Sequence, residues 1–502
     1  MNKTYSNFDS AMFIDTGTRW ADRGTSALRL GVCMIVLVGI GLGGLGCDSG
    51  GGVEPDPPSE CENPPCDDEE DFELDPLAPP EYRYSGWEET ADWRAAAQDR
   101  IEKHRMDSIE VTVVDGDGTP VDGATVSVQM QQHAFHFGTA VSDNLINEGR
   151  DQGGSSYLNA LENNFNYATI ETGLKYYNWA GNSGRQESVR NAVTWLNDND
   201  FAVRGHAAFW EKWGWMQINE SQPASQIHQE MKSKIEGRLS EFEGQMLDWD
   251  AQNHPFHRSA IRPKVASGTD MTEQEVVAEW WAVANDTDQQ ARMGINEQNL
   301  IQRYPCCDFR GRYDSWIQDL INMGVDVEAI GFMGHANITR LEDMSYVKNV
   351  LDQFSEYDVP LYVSEFHITL DNWREDGKTW ASASQAEKDA QAAYLRDFLT
   401  MFFSHPAADA FVHWTFWEGR SWRSTSALYS PDWTRRDHAE MFQKWVRDRW
   451  WTDASGETGS NGTFALNAFK GEHRIVAEKG DRSGTVTTTL SDGGDSVEIT
   501  IE

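Results

Sequence analysis

Two short segments carry residue types able to do acid–base or nucleophilic chemistry, WDAQNHP at Trp249 to Pro255 and LYVSEFHI at Leu361 to Ile368. Each is an apolar, β-prone run ending in polar residues, so its reactive side chains would stand where a buried strand emerges. Glu365 supplies a carboxylate, a potential nucleophile. His254 and His367 supply imidazoles, whose unperturbed pKa near 6.5 suits proton transfer close to neutrality. His206, after FAVRG, and His335, after FMG, end two further apolar runs. Imidazole and carboxylate together also suit zinc, so His254, His335, His367 and Glu365 form an alternative metal set. No zinc-type cysteine spacing accompanies them.

The elements that must position these residues alternate regularly. Eight strand-like segments, each followed by helical periodicity, cover 134–140, 167–171, 201–210, 246–253, 292–297, 329–335, 360–366 and 410–417. Eight β/α units over residues 132–450 predict an α/β fold of the TIM (β/α)8 barrel type, whose active site lies where the strands end. Glu171, His206, Asn253, His254, His335 and Glu365 all fall at such ends.

Both flanks read as β. Ile109–Met130 alternates Val residues around Asp-Gly-Asp-Gly and predicts a hairpin, while Asn461–Gly480 and Val497–Ile501 alternate around glycine turns. Two strands alone do not make a stable sheet, so the hairpin needs partners. The two flanks resemble the halves of the small prealbumin-like sandwich of carboxypeptidase regulatory-type domains. That resemblance implies one accessory β-sandwich formed from N- and C-terminal strands, with the barrel inserted: residues 88–131 give a helix and the first hairpin, and 451–502 the remaining strands. The helix is expected over Glu88–Arg105, where Trp93, Ala97 and Ile101 recur every four residues.

Charge and cysteines bound the function. Against 42 basic residues stand 81 acidic ones, for a formal charge of -39. Such a chain repels nucleic acid and anionic membrane, and nucleic-acid binding is excluded. Residues 1–47 read as an export segment: Arg23 and Arg29 precede an uncharged run from Leu30 to Gly46, and Cys47 stands where a lipoprotein signal carries its acylated cysteine. The run could also be a short membrane anchor. Residues 48–87 are rich in Gly, Pro and acid and form a linker. Of six cysteines, Cys61 with Cys66 and Cys306 with Cys307 are the candidates for disulfides in an exported chain. The expected product is an exported monomer, tethered to the cell envelope or extracellular, that meets a membrane only through its N-terminal lipid or anchor.

The strand-end set resembles glycoside hydrolase family 10, the retaining endo-β-1,4-xylanases, and especially its plant-type members with β additions at both ends. The family's fourth strand ends W-D-x-x-N-E; WDAQNHP keeps Trp249, Asp250 and Asn253 and puts His254 for the Glu. The seventh ends T-E-x-D, and SEFH keeps Glu365 with His367 for the Asp. H-x-x-x-W is present as His206 and Trp210, and E-N-x-x-K as Glu171 and Lys175 with Thr172 for Asn. Q-x-H keeps His335 with Met333 for Gln, and the eighth strand brings Trp414 and Trp422 to the places of sugar-stacking tryptophans.

The resemblance implies a glycosidase of xylan-like polysaccharide that needs no cofactor and no metal. Glu365 would be nucleophile, His335 its orienting partner and His254 an unusual acid/base; Glu171, Lys175, His206, Trp210, Asn253, Trp414 and Trp422 would bind substrate. A retaining site normally uses two carboxyl groups about 5–5.5 Å apart. A glutamic acid that donates its proton becomes an anion facing the oxocarbenium-like transition state, whereas a donating imidazolium becomes neutral. Losing that charge at about 5 Å and an effective dielectric near 20 forfeits roughly 3 kcal/mol, on the order of a hundredfold in rate. The competing readings are a degenerate barrel that binds xylan-type chains without turnover, and the metal site named above.

Overall fold

In the computed structural model, residues 82–257, 259–303, 308–370 and 377–502 are described. The expected export segment, most of the linker and all six cysteines lie outside them. Among the described residues no helix is long and apolar enough to cross a membrane.

The strands in chain order are β1 (Met106–Val114), β2 (Thr125–His133), β3 (His136–Val141), β4 (Tyr167–Ile170), β5 (Ala202–Gly205), β6 (Asp248–Asn253), β7 (Arg292–Glu297), β8 (Ala329–Phe332), β9 (His335–Asn337), β10 (Leu361–Thr369), β11 (Ala408–His413), β12 (Asp453–Glu457), β13 (Thr463–Phe469), β14 (Gly471–Lys479), β15 (Arg482–Leu490) and β16 (Asp495–Thr500). β3 to β8 pair in sequence, β8 pairs with β10, β10 with β11, and β11 returns to β3. All these pairings are parallel. Eight strands thus close into a TIM barrel, as expected. Helices such as Ala224–Leu239, Glu273–Thr287 and Gln385–Ser404 return the chain between strands. The last two open with capping boxes, Thr272 with Glu275 and Ser384 with Glu387, which satisfy otherwise unpaired N–H groups of the first turn.

The barrel interior mixes apolar and charged side chains. Ala140, Tyr167, Ala329, Tyr362, Ala410, Val412 and Trp414 form its apolar cluster. Gly294 and Gly331 leave room for the Tyr362 side chain: a Cβ would come within 2.3 Å of its hydroxyl oxygen at Gly294 and within 2.3 Å of its ring at Gly331. Below the rim, Arg204 is wholly buried between Asp248 and Asp250 and lies 4.2 Å from the Tyr362 ring centroid. Arg292 bonds Asp248 at 3.0 Å, as does Tyr167 at 2.7 Å, so the buried carboxylates are matched by donors.

The terminal strands form two sheets, of order β13-β1-β16 and β12-β2-β14-β15. Their inner faces share one core, in which Ile109, Val111 and Val113 of the first sheet meet Val126, Val128, Ile475 and Ala477 of the second. This is the expected accessory sandwich, with one correction. Ile109–Met130 is not a hairpin: β1 and β2 belong to opposite sheets, and the Asp-Gly turn carries the chain from one to the other. Each strand buries its alternate residues against the facing sheet rather than pairing with its neighbour in sequence.

Smaller differences have similar causes. The helix α1 (Asp92–Arg105) begins only at Asp92, because Gly86 to Ala91 make turns that Trp93 Nε1 ties down through Gly86 O at 2.6 Å. α1 packs on Gln385–Ser404, where Arg94 grips Asp397 at 2.5 and 2.6 Å. The segment 201–210 is a strand only to Gly205. The segment 329–335 breaks at Met333 and Gly334, whose N–H groups turn to Glu297 O and Glu365 O; the chain resumes as β9 beside the outer half of β10.

Candidate active site

Because the eight strands run parallel, their C-terminal ends share one rim, and the candidate residues lie there. Glu365, in the middle of β10, is 7% exposed. Nε2 of His335 stands 3.3 Å from its Oε2. Burial alone would raise the Glu365 pKa; the His335 hydrogen bond and the positive charges of His206, His335 and His254 overcome it and hold the carboxyl at about 2. His206 is itself pushed below the usual imidazole range by burial. The His335 hydrogen bond is the largest of these lowering contributions.

Behind His335 stands His367, with the two Nδ1 atoms 3.1 Å apart. Burial, then the charges of His335, His413 and Arg423, hold His367 well below the imidazole range, so it is neutral. A neutral His367 can give its Nδ1 proton to His335, which leaves the Nε2–H of His335 for Glu365. Trp422, 37% exposed, presents its ring at 5.6 Å from His335 and 5.2 Å from His367.

On the opposite side of the rim, His254 follows the last residue of β6 with a left-handed φ of +55°. A non-glycine residue costs roughly 1–3 kcal/mol in this region and is found there only where its surroundings hold it. Here the His254 N–H bonds Asn296 O at 2.9 Å. Asn253 is in register with Asn296, so the next residue of each strand, His254 and Glu297, come side by side. His254 Nδ1 is 3.1 Å from Glu297 Oε1. Glu297 is fully buried, and its carboxylate also accepts from the N–H groups of Phe256 and Gln298, each at 2.8 Å. Trp210 covers His254 with ring centroids 4.5 Å apart.

The remaining candidates divide. Lys175, His206, Trp210 and Asn253 border one small cavity with Tyr176 and Trp215. His206 Nδ1 bonds Asp250 Oδ2 at 2.7 Å, and the Trp414 ring meets His206 edge-on at 5.5 Å. Burial raises the Asp250 carboxyl, but the Arg204 charge and the His206 bond outweigh it and keep it below the usual carboxylate range. Trp414 is 4% exposed and belongs to the barrel core as much as to the rim. Glu171, half-buried just beyond β4, is not among the residues bordering the cavity; its charge also reaches Tyr157. Trp215, not a sequence candidate, lies 3.9 Å from Trp210 and carries Lys175 Nζ at 5.0 Å over its ring. The cavity volume is about 10 Å³, space for one water rather than a sugar ring. Glu297 was the other residue missed, and its signal was present: Asn-His and Asn-Glu end two consecutive strand segments. Among the described residues no three His, Cys, Asp or Glu side chains are arranged to hold a metal ion. The metal set therefore lacks a geometry.

The model of the family described as glycosyl hydrolase family 10 matches residues 127–445, well over half the chain. The chain belongs to glycosyl hydrolase family 10. Among curated relatives of this family 10 chain, the anti-sigma-I factor RsgI6 of Acetivibrio thermocellus is 24% identical over 415 residues, covering 81% of this chain and 50% of the relative. Endo-1,4-beta-xylanase 1 of Arabidopsis thaliana is 23% identical over 394 residues, covering 76% of this chain and 38% of the relative. The family 10 chain thus spans half or less of the length of these two relatives. Among solved structures, xylanase 10B of Thermotoga petrophila in complex with xylobiose superposes with a TM-score of 0.53 at 17% identity, covering 63% of this chain and 95% of that one. That likeness establishes the barrel fold.

Proposed function

We propose that this family 10 chain is an exported, monomeric glycoside hydrolase that cleaves β-1,4-xylan or a related plant polysaccharide with retention. The observation that carries the reading is Glu365, buried yet kept ionised by His335. A buried, ionised carboxylate on a barrel rim is what attack on an anomeric carbon requires. His254 is the proton donor. With Nδ1 engaged by Glu297, its Nε2 is the nitrogen that can meet the glycosidic oxygen. In the first step Glu365 Oε bonds the anomeric carbon, the bond to the leaving oxygen breaks, and that oxygen takes the His254 proton. In the second, water gives a proton to His254, its oxygen bonds the anomeric carbon, and the ester to Glu365 breaks. The xylan assignment is supported by the relatives named as endo-1,4-beta-xylanases and by structural neighbours holding xylobiose or xylopentaose.

A second reading, a barrel that binds xylan-type chains without turnover, is favoured by two observations. His254, Thr172, Met333 and His367 depart from the family pattern, and one relative is named as an anti-sigma factor. Hydrolysis of a nitrophenyl β-xylobioside, measured with and without Glu365→Ala, separates the two. Turnover that falls at least a thousandfold in the variant supports the first, and xylo-oligosaccharide binding with no turnover in either protein supports the second.

A further inference from the structure

We infer that Glu297 is the positioning residue that makes His254 a full electrostatic substitute for a glutamic acid, the two side chains acting as one proton-donating unit. The inference rests on the proposed roles of Glu365 and His254. A lone imidazolium ends proton donation neutral and leaves no negative charge near the developing oxocarbenium ion. A His254 imidazolium paired with a Glu297 carboxylate begins with net charge zero and ends with net charge minus one. That is the charge change of a glutamic acid that gives up its proton. Only the proton on Nε2 moves, to the leaving oxygen and later back from water. The Nδ1 proton stays between His254 and Glu297, and Glu297 is never protonated, the division of labour of a histidine held by a buried carboxylate.

The geometry is built for this. Glu297 has no exposure, lies 3.1 Å from His254 Nδ1 and is fixed by the backbone N–H groups of Phe256 and Gln298. Its strand holds the His254 backbone too, through Asn296 O. Asn296 is tied in turn to Asn253 at 3.1 Å and to Ser364, the neighbour of Glu365, at 2.7 Å. One strand end thus sets the backbone, the ring orientation and the charge of the donor. The other charged or titratable groups toward His254 are His257, with ring centroids 5.3 Å apart, Glu365, and Lys212 beyond Trp210. Among the described residues Glu297 is the one that bonds its ring.

The test compares Glu297→Gln, which keeps an acceptor oxygen but loses the charge, with Glu297→Asp, which keeps the charge. Acid assistance matters for a poor leaving group and little for a good one. Rates are therefore measured on xylotetraose and on dinitrophenyl β-xylobioside. The expected result is that Glu297→Gln loses at least tenfold more rate on xylotetraose than on the dinitrophenyl glycoside, while Glu297→Asp restores most of that ratio. Equal losses on both substrates in Glu297→Gln would reduce Glu297 to a structural role and overturn the inference. Nitrogen NMR of the His254 ring supplies a readout that needs no turnover. The inference expects a proton on Nδ1 throughout and an Nε2 titration that moves to lower pH in Glu297→Gln; an unchanged titration overturns it. Wild-type protein that fails to hydrolyse either substrate refutes the hydrolase reading, and the NMR arm still decides the pairing.

Discussion

His335 Nε2 lies 3.3 Å from Glu365 Oε2, and the same ring meets His367 through Nδ1 at 3.1 Å. The candidate nucleophile is thus oriented by a chain of two imidazoles on adjacent strands, β9 and β10, in direct register. The second imidazole is neutral where the family pattern carries an Asp, so the partner behind His335 brings no anionic charge toward Glu365.

Replacing His335 tests this chain. Without its bond, burial dominates the Glu365 carboxyl and its pKa rises from about 2. His335→Ala is expected to move the acid limb of kcat/KM to higher pH. It should also lower the plateau by about 10- to 100-fold, the worth of a hydrogen bond to a charged group. His335→Gln, which keeps a donor, should recover part of the loss. An unmoved acid limb measured from pH 3 to 7 would remove His335 from this role.

Acid lability is expected from buried histidines that take no part in the proposed chemistry. Burial chiefly pushes His133 and His413 down to about 3. Both folded values lie below the unfolded value near 6.5, so their stabilisation is complete above pH 6.5 and is lost as pH falls toward 3. His133 bonds Trp450 O and packs edge-on to Phe137 at 5.2 Å. His133→Phe is expected to cost about 1 kcal/mol at pH 7.5 through that lost bond. At pH 4, where the wild-type ring has forfeited about 3 kcal/mol, the variant should be more stable by about 2 kcal/mol. Denaturation midpoints at the two pH values check the crossover.

Among the described residues Trp422 is the exposed aromatic of the rim, edge-on to both imidazoles. Trp422→Ala is expected to raise KM for xylotetraose by about 5- to 30-fold, in line with about 1–2 kcal/mol of aromatic contact, with little effect on stability. Steady-state kinetics and a thermal melt report the two separately.

Arg204 stands fully buried between Asp248 and Asp250. Removing it leaves buried carboxylates short of a partner, and Arg204→Met is expected to cost about 3–5 kcal/mol in urea denaturation. A loss below 1 kcal/mol would show that Arg292 and Tyr167 at Asp248, with His206 and Tyr362 at Asp250, suffice to hold the pair.

The barrel was legible because each of its strands is a buried apolar run set off by helical periodicity, and because Glu365, His254, His206 and His335 end such runs. Pairing across strands was not. Glu297 meets His254 only because β6 and β7 place Asn253 beside Asn296, a register that no spacing along the chain states. The same limit explains the supposed hairpin, since alternating Val residues in β1 and β2 fit pairing with each other as well as pairing into facing sheets. β12 and β15 escaped notice because, at the edges of their sheet, they carry DASGE and RSGTVTTTL, with few apolar residues to alternate. Trp215 was hidden for a different reason. A tryptophan in a short helix after β5 gives no sign of which neighbour it will cover.

The most direct test of the central claim is the configuration of the first sugar released from a xylo-oligosaccharide, followed by proton NMR before mutarotation. Attack by Glu365 followed by water delivered through His254 predicts the β-anomer first, with the signal lost in Glu365→Ala. Release of the α-anomer first, or β-anomer release that persists in Glu365→Ala, would contradict it.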